Sequence, residues 1–196
     1  MATTRTARWR VTIVDDHERS RGSLRAAIWA AGGEVAGEAH RCIDALAMVR
    51  RTKPTVGVFA VGLPDGDGVA VAAEVVAQGI CPVVLFTSHT DDALAERATA
   101  AGVMAYLLKP LRTAELAPAL DLAIARWTEA RTLRQRLEER KVIERAKGQL
   151  MHRHGLTEDE AFKRLRRTAM DSRRPMVEIA RAVLVSESVA SAVPWK

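Results

Sequence analysis

Hydrophobic and polar positions divide the first 125 residues into alternating segments. Five short apolar runs, the first at 11–14 and the last at 105–108, are each followed by a segment whose apolar residues recur every three or four positions. Continuous apolar runs are typical of strands buried on both faces of a parallel sheet, and the recurring spacing is typical of helices. The pattern predicts an α/β domain over 9–125, with a five-stranded, doubly wound parallel sheet in the order 2-1-3-4-5.

The helical spacing continues beyond position 113. The apolar positions that step by four and three residues are Leu116, Leu120, Ala123, Trp127, Ala130 and, after an interruption at Arg134, Leu137. This spacing predicts a coiled-coil linker over 113–137 that joins two chains as a homodimer. The alternative is one amphipathic helix packed on its own domain.

The remaining sequence predicts a small all-α domain over 133–186. Gly155 is suited to end the long helix, and Thr157 with Glu160 has the spacing of a capping box that starts the next one. Pro175 suits the first turn of a last helix. Residues 187–196 show no pattern and predict a loose tail.

Charge separates the two parts of the chain. Residues 1–125 hold 13 Lys and Arg against 14 Asp and Glu, whereas residues 126–181 hold 16 basic and 9 acidic residues. The net charge of +7 in the second segment predicts that the C-terminal domain faces a polyanion.

Several classes of protein are disfavoured. No apolar stretch reaches the ~18 residues of a membrane span, and the N-terminus lacks the apolar core of a signal peptide, which predicts a cytoplasmic protein. Cys42 and Cys81 match no metal or redox spacing and are predicted to be buried free thiols. No nucleophile–base arrangement is recognisable, so we expect no enzymatic activity.

Polar residues follow three of the predicted strands. Asp15 and Asp16 follow the first, Thr87 ends the fourth, and Lys109 follows the fifth. The carboxyl ends of such strands meet at one edge of the sheet, where paired carboxylates suit Mg²⁺ and a hydroxyl with an ammonium suits a phosphoryl group. The third strand, however, ends at the chemically inert Ala60.

These residues carry a resemblance. Residues 9–125 resemble the receiver domain of two-component response regulators, a flavodoxin-like fold. Asp15-Asp16 matches its acidic pair, Thr87 its switch hydroxyl, Tyr106 its switch aromatic, and Lys109-Pro110 its lysine and usual cis-proline. The run Leu-Pro-Asp-Gly-Asp-Gly at 63–68 matches the loop that follows the phosphorylated aspartate at a fixed interval. The resemblance therefore places Ala60 at the phosphoacceptor position.

The alanine changes what the resemblance implies. Ala60 cannot form an acyl phosphate, no cofactor is required, and Mg²⁺ would be held weakly, by Asp15, Asp16 and the Gly62 carbonyl. Lys109, deprived of its counterion, is expected to turn toward one of the two aspartates. Three interpretations stay open: a natural receiver controlled by dimerisation, a histidine kinase or another regulatory partner; a natural Asp replaced by Ala; or phosphorylation at Asp65 or Asp67, of which Asp67 better suits a helix cap.

The basic segment carries a second resemblance. Residues 133–184 resemble the ANTAR domain, the three-helix RNA-binding module of bacterial transcription antiterminators, through positions that include Ala146-Lys147-Gly148, His154-Gly155-Leu156 and Glu160-Ala161. The resemblance implies binding to paired hairpins in leader RNA. The candidate RNA-binding residues are Arg140, Lys141, Arg145, Lys147, Gly148, Arg153, Arg166, Arg173 and Arg174.

Other side chains of this domain receive different expectations. Ala146 and Gly148 are small enough to let RNA approach closely, whereas Phe162 is expected in the core. The sequence thus predicts a dimeric regulator that binds leader RNA. A DNA-binding regulator and a protein-interaction module are the alternatives.

Overall fold

A computed structural model describes residues 7–88 and 90–192, with side chains up to Ser186. The chain divides into two compact units, Met1–Glu129 and Ala130–Lys196. A single helix, Thr113–His154, contributes residues to both units.

The strands of the first unit form one parallel sheet and one small hairpin. They are β1 (Arg10–Val14), β2 (Glu34–Ala39), β3 (Val56–Ala60), β4 (Gly62–Leu63), β5 (Gly66–Asp67), β6 (Val83–Thr87) and β7 (Ala105–Leu108). The sheet has the order β2-β1-β3-β6-β7, and β4 pairs with β5 in an antiparallel hairpin. With the hairpin set aside, this is the predicted order, and the fold prediction is confirmed.

Aspartate side chains cap the first turn of two helices of the first unit. The helices of the chain are α1 (Glu18–Ala30), α2 (Cys42–Thr52), α3 (Gly68–Ala77), α4 (Asp92–Ala100), α5 (Thr113–His154), α6 (Glu158–Ser172) and α7 (Met176–Ala192). The Asp67 carboxylate accepts a hydrogen bond from the Val69 amide and caps α3, as predicted. Asp91 caps α4 by accepting from the Leu94 amide.

Two hydrophobic clusters cover the two faces of the sheet. One contains Phe59, Val75 and Leu85, and the other contains Ile13, Ile28 and Leu120. Strands buried on both faces explain the continuous apolar runs of the sequence.

The first half of the predicted coiled-coil seam belongs to this core. Leu116, Leu120 and Ala123 of α5 are fully buried among residues of β1 and α1. The coiled-coil prediction is therefore wrong for these positions, because the sheet face needs a covering helix and α5 supplies it. Further along α5, Leu133 and Leu137 are exposed.

The second unit has its own small core. Its buried residues are Ala146, Leu150, Ala161, Leu165, Ala169, Ile179 and Ala180. Thr157 and Glu160 form the predicted capping box, and Gly155, with φ of 62°, follows the end of α5. Ala146 is fully buried, so the expectation that it lets RNA approach is wrong.

Two further expectations need correction. The backbone of α7 stays helical to Ala192, because no glycine or proline interrupts 176–192. The predicted loose tail is therefore wrong for 187–192; positions 193–196 lie outside the described residues.

Cys81 is a buried free thiol as predicted, and burial raises its pKa to about 12. Cys42 is only half-buried, because it lies at the start of α2. No helix in the described part of the chain is long and apolar enough to cross a membrane.

Candidate functional site

The carboxyl ends of four strands surround one pocket of about 460 Å³. Ala60 lies at its base, 2% exposed and paired in register with Phe86 of β6. Asp16, Thr87 and Lys109 also line it. The pocket therefore has the arrangement that the strand ends predicted, with a methyl group at the centre.

Lys109 is held by the buried carboxylate of the first strand end. Its ammonium lies 2.6 Å from Oδ2 of Asp15 and 5.0 Å from the centre of the Phe86 ring. The Asp15 side chain is 1% exposed, and its Oδ1 accepts a hydrogen bond from the His17 amide at 2.8 Å. Lys109 has thus turned toward Asp15, as expected from the absence of a carboxylate at position 60.

The same contacts bear on the predicted magnesium ligands. Ligand atoms of Asp15, Asp16 and His17 lie within 4.8 Å of one another, and Gly62 lines the same pocket. Both oxygens of Asp15 already have partners, so Mg²⁺ would have to displace the Lys109 ammonium to reach Oδ2. The residues present therefore suit Mg²⁺ poorly.

The two loop aspartates each serve a helix. Asp65 accepts hydrogen bonds from the amides of Cys42 and Ile43, at 2.7 and 3.1 Å, at the start of α2. Burial acts to raise the pKa of Asp65, but these hydrogen bonds and the Arg41 guanidinium outweigh it and leave the pKa below its usual value. Asp67 caps α3 and pairs with Arg97 at the pocket wall.

Gly68 fixes this loop to the end of β3. Its amide donates to the Val61 carbonyl at 2.7 Å, and a Cβ atom added at Gly68 would lie 1.8 Å from the Ala60 carbonyl oxygen. The backbone approach is therefore closed to any other residue. The loop from 63 to 68 is thus held against the end of β3 by contacts between backbone atoms.

Tyr106 does not belong to the pocket. It lies on β7, is 58% exposed, and borders a separate surface hollow with Pro118 and Leu122. Its assignment to the receiver pocket is wrong for this conformation, because its side chain lies on the outer surface.

Lys147 is the candidate RNA contact that the structure corrects. It is 8% exposed, and its ammonium lies 2.8 Å from both Glu144 and Glu158, which ties α5 to α6. The hydrogen bonds to Glu144 and Glu158 raise its pKa. Both carboxylates compete with any phosphate for this ammonium, so Lys147 is a structural residue.

The other candidates remain on the surface. Arg140, Lys141, Arg145, Gly148 and Arg153 are exposed along α5, and Lys141 pairs with Glu138. Arg166, Arg173 and Arg174 meet around one hollow between α6 and α7. Phe162 lines this hollow and is 37% exposed, so its expected place in the core is wrong. Helical spacing of apolar residues does not distinguish an exposed apolar face from a buried one. The sequence therefore did not reveal that Phe162 lies at the surface.

Comparisons with protein families agree with this division. The model of the response regulator receiver domain matches residues 11–121, and the model of the ANTAR domain matches residues 131–184.

Individual relatives give the same result. The chain is 40% identical over 182 residues to the transcriptional regulatory protein PdtaR of Mycobacterium tuberculosis, covering 89% of each chain. It is 46% identical over 63 residues to the nitrate regulatory protein of Klebsiella oxytoca, covering 32% of this chain and 16% of that one. The receiver domain of a NarL response regulator of M. tuberculosis has a TM-score of 0.56 and 31% identity, covering 60% of this chain and 98% of that one. The chain belongs to the family of response regulators in which a receiver domain is followed by an ANTAR domain.

Proposed function

We propose that this protein is a transcription antiterminator that binds hairpins in leader RNA through residues 131–184. The observation that carries the proposal is the match of these residues to the ANTAR domain, on a segment that exposes a row of cations. Such cations neutralise phosphates and give an affinity that depends on salt. The protein acts on nascent transcripts in the cytoplasm and is not an enzyme.

The receiver domain is, in this proposal, not phosphorylated at position 60. Ala60 has no carboxylate to accept a phosphoryl group, and Asp15 and Lys109 already form an ion pair. Asp65 and Asp67 are engaged as helix caps, which disfavours either as a substitute acceptor. No cofactor is needed, and control comes from a regulatory protein or a kinase that docks without phosphoryl transfer.

Two chains act together through α5. Leu133 and Leu137 lie four residues apart on the exposed part of this helix, a spacing at which apolar side chains share one face. A second copy that covers this face would bring two RNA-binding domains to two hairpins and raise their effective concentration.

Binding and read-through together test the proposal. RNA carrying two adjacent hairpins with randomised loops is selected on the full-length protein, and the selected RNA is titrated against the same hairpins in DNA and against scrambled RNA. We expect the selected RNA to bind at least tenfold more tightly, and to increase read-through of a downstream terminator during transcription in vitro. Equal affinity for duplex DNA and scrambled RNA would overturn the proposal.

A further inference from the structure

A shallow hollow of about 650 Å³ lies between α6 and α7 in the second unit. Its volume is within the ~300–1,000 Å³ of small-ligand sites, so a single nucleobase fits inside it. The sequence predicted only some of its residues, as isolated cations. The structure shows that large apolar side chains form the floor of the hollow, between these cations.

The floor consists of large apolar side chains that the small core leaves outside. Phe162 is 37% exposed and Met170 is 67% exposed, while their neighbours Ala161, Leu165 and Ala169 are at most 8% exposed. Phe162 and Met170 lie eight residues apart, about two turns of α6, and therefore lie on the same side of the helix. Pro175 and Met176, at the start of α7, close the opposite wall.

Three arginines surround this floor. Arg166 lies on α6, Arg173 caps it in the left-handed conformation with φ of 53°, and Arg174 follows. Arg174 forms an ion pair with Glu178, with 2.9 Å between Nε and Oε2. Among the described residues, neither Arg166 nor Arg173 forms an ion pair. The hollow therefore combines an aromatic surface with two guanidinium groups, those of Arg166 and Arg173, that have no carboxylate partner among the described residues.

We infer that this hollow receives an unpaired base of the bound RNA, stacked on Phe162, with the arginines contacting the flanking phosphates. This inference rests on the proposed function and names the part of the RNA that is read. Single-stranded bases are held by stacking on aromatic rings and guanidinium planes, while cations follow the backbone. The positive charge of the arginines around the hollow is complementary to the phosphates of a nucleic acid.

The base must come from a loop or a bulge. In a duplex both faces of each base are already stacked, so the Phe162 ring could not be reached without unstacking. Phosphate contacts alone carry no sequence information, whereas a base in a shaped apolar hollow does. The hollow therefore supplies loop recognition, and the cations along α5 supply affinity.

A double-mutant cycle between protein and RNA tests the inference. The full-length protein and its Phe162→Leu variant are each titrated with selected two-hairpin RNA in which single loop nucleotides are made abasic. We expect one abasic position, and Phe162→Leu with intact RNA, each to weaken binding on the order of 5- to 150-fold, the range of base–aromatic stacking. Combined, they should cost no more than either alone, because both remove the same contact.

Matched variants test the Phe162 ring and the surrounding arginines separately. Phe162→Tyr keeps a stacking surface and should retain affinity. Arg166→Gln should weaken binding more than Arg164→Gln, which removes an equal charge from the same helix outside the hollow. Circular dichroism confirms that each variant is folded.

The outcomes separate this inference from the proposed function. Failure of the parent protein to select any RNA would defeat the proposed function. If RNA is selected but the effect of every abasic position is independent of Phe162, the inference about the hollow is wrong and the proposed function stands. A change in the sedimentation of Phe162→Leu without any change in RNA coupling would assign the hollow to a second copy of the chain, and equal coupling with DNA hairpins would overturn RNA as the ligand.

Discussion

The ammonium of Lys109 lies 2.6 Å from the Asp15 carboxylate, at the place where Ala60 leaves no acidic side chain to attract it. The Asp15 side chain is 1% exposed and that of Lys109 is 22% exposed, so the pair is largely shielded from water. The ammonium of Lys109 and the buried carboxylate of Asp15 thus neutralise each other at this edge of the sheet.

An aspartate at position 60 should allow the receiver domain to be phosphorylated. In Ala60→Asp, we expect acetyl phosphate with Mg²⁺ to add one phosphoryl group, because Gly68 and the loop from 63 to 68 are already in place. The new carboxylate also gives Lys109 a second partner and Mg²⁺ a third carboxylate. Intact-mass spectrometry checks the addition. Ala60→Asn, which has the same shape without the nucleophile, is the control, and a phosphoryl group on the unaltered protein would contradict our assignment.

Breaking the ion pair should destabilise the receiver domain. Removing one partner of a buried pair costs about 3–5 kcal/mol, and the partial exposure of Lys109 reduces this to roughly 2–3 kcal/mol for Lys109→Met. Arg112→Met removes one partner of the exposed Arg112–Glu115 pair and should cost below about 1 kcal/mol. Urea unfolding gives both values. Equal losses in the two variants would mean that the Lys109 pair is no more important than a surface contact.

The capping box of α6 should make stability dependent on acid. Hydrogen bonds from the Thr157 amide and hydroxyl lower the pKa of Glu160 in the folded protein. Its stabilisation is therefore present above the usual glutamate pKa, near 4.5, and is lost as the pH falls through the lowered value. Glu160→Gln should lower the Tm at pH 7, and the difference should disappear at acidic pH. A difference in Tm that stays constant from neutral to acidic pH would contradict this prediction.

The fold was predictable because its signals are local and redundant. Five apolar runs, the Thr157–Glu160 capping box and Gly155 each specify one element, and tertiary packing agrees with all of them. Leu116 and Leu120 were misassigned because a heptad seam and a helix that covers a sheet have the same spacing. Only the position of β1 and α1 distinguishes the two.

The sites were predicted less completely, because side-chain partners far apart in sequence decide them. Lys147 lies in the same cation-rich segment as Arg145, but Glu144 and Glu158 form ion pairs with Lys147. Phe162 has the spacing of a core residue, yet the small core of the second unit leaves it at the surface. Which aspartate would hold Lys109 also depended on burial, which the sequence does not show.

Arg145 and Lys147, both on α5, should therefore differ in RNA binding. Arg145 is exposed, whereas Lys147 is 8% exposed and paired. Each phosphate contact contributes about 0.7–0.9 to the slope of log affinity against log salt. Arg145→Gln should reduce that slope by about this amount, whereas Lys147→Gln should leave it unchanged and lower the Tm instead. Filter binding over a range of salt and thermal unfolding check the two effects, and a reduced slope for Lys147→Gln would return Lys147 to the RNA interface.

Gly148 should show a conflict between stability and binding. It lies inside α5, where glycine costs about 1 kcal/mol relative to alanine, and a Cβ atom added there would meet nothing within 4 Å. Gly148→Ala should therefore stabilise the second unit by about 1 kcal/mol. If this bare surface admits the RNA backbone, the same methyl group should weaken RNA binding severalfold.

Gly22 provides the matched control for this substitution. It also lies inside a helix, α1, and an added Cβ would contact only the Arg25 side chain, at 3.7 Å. Gly22→Ala should stabilise the receiver domain without any change in RNA affinity, because α1 carries no candidate RNA contact. Thermal unfolding and filter binding on both variants separate the two effects. Unchanged RNA affinity in a stabilised Gly148→Ala protein would exclude Gly148 from the interface and leave the arginines and the Phe162 hollow to account for binding.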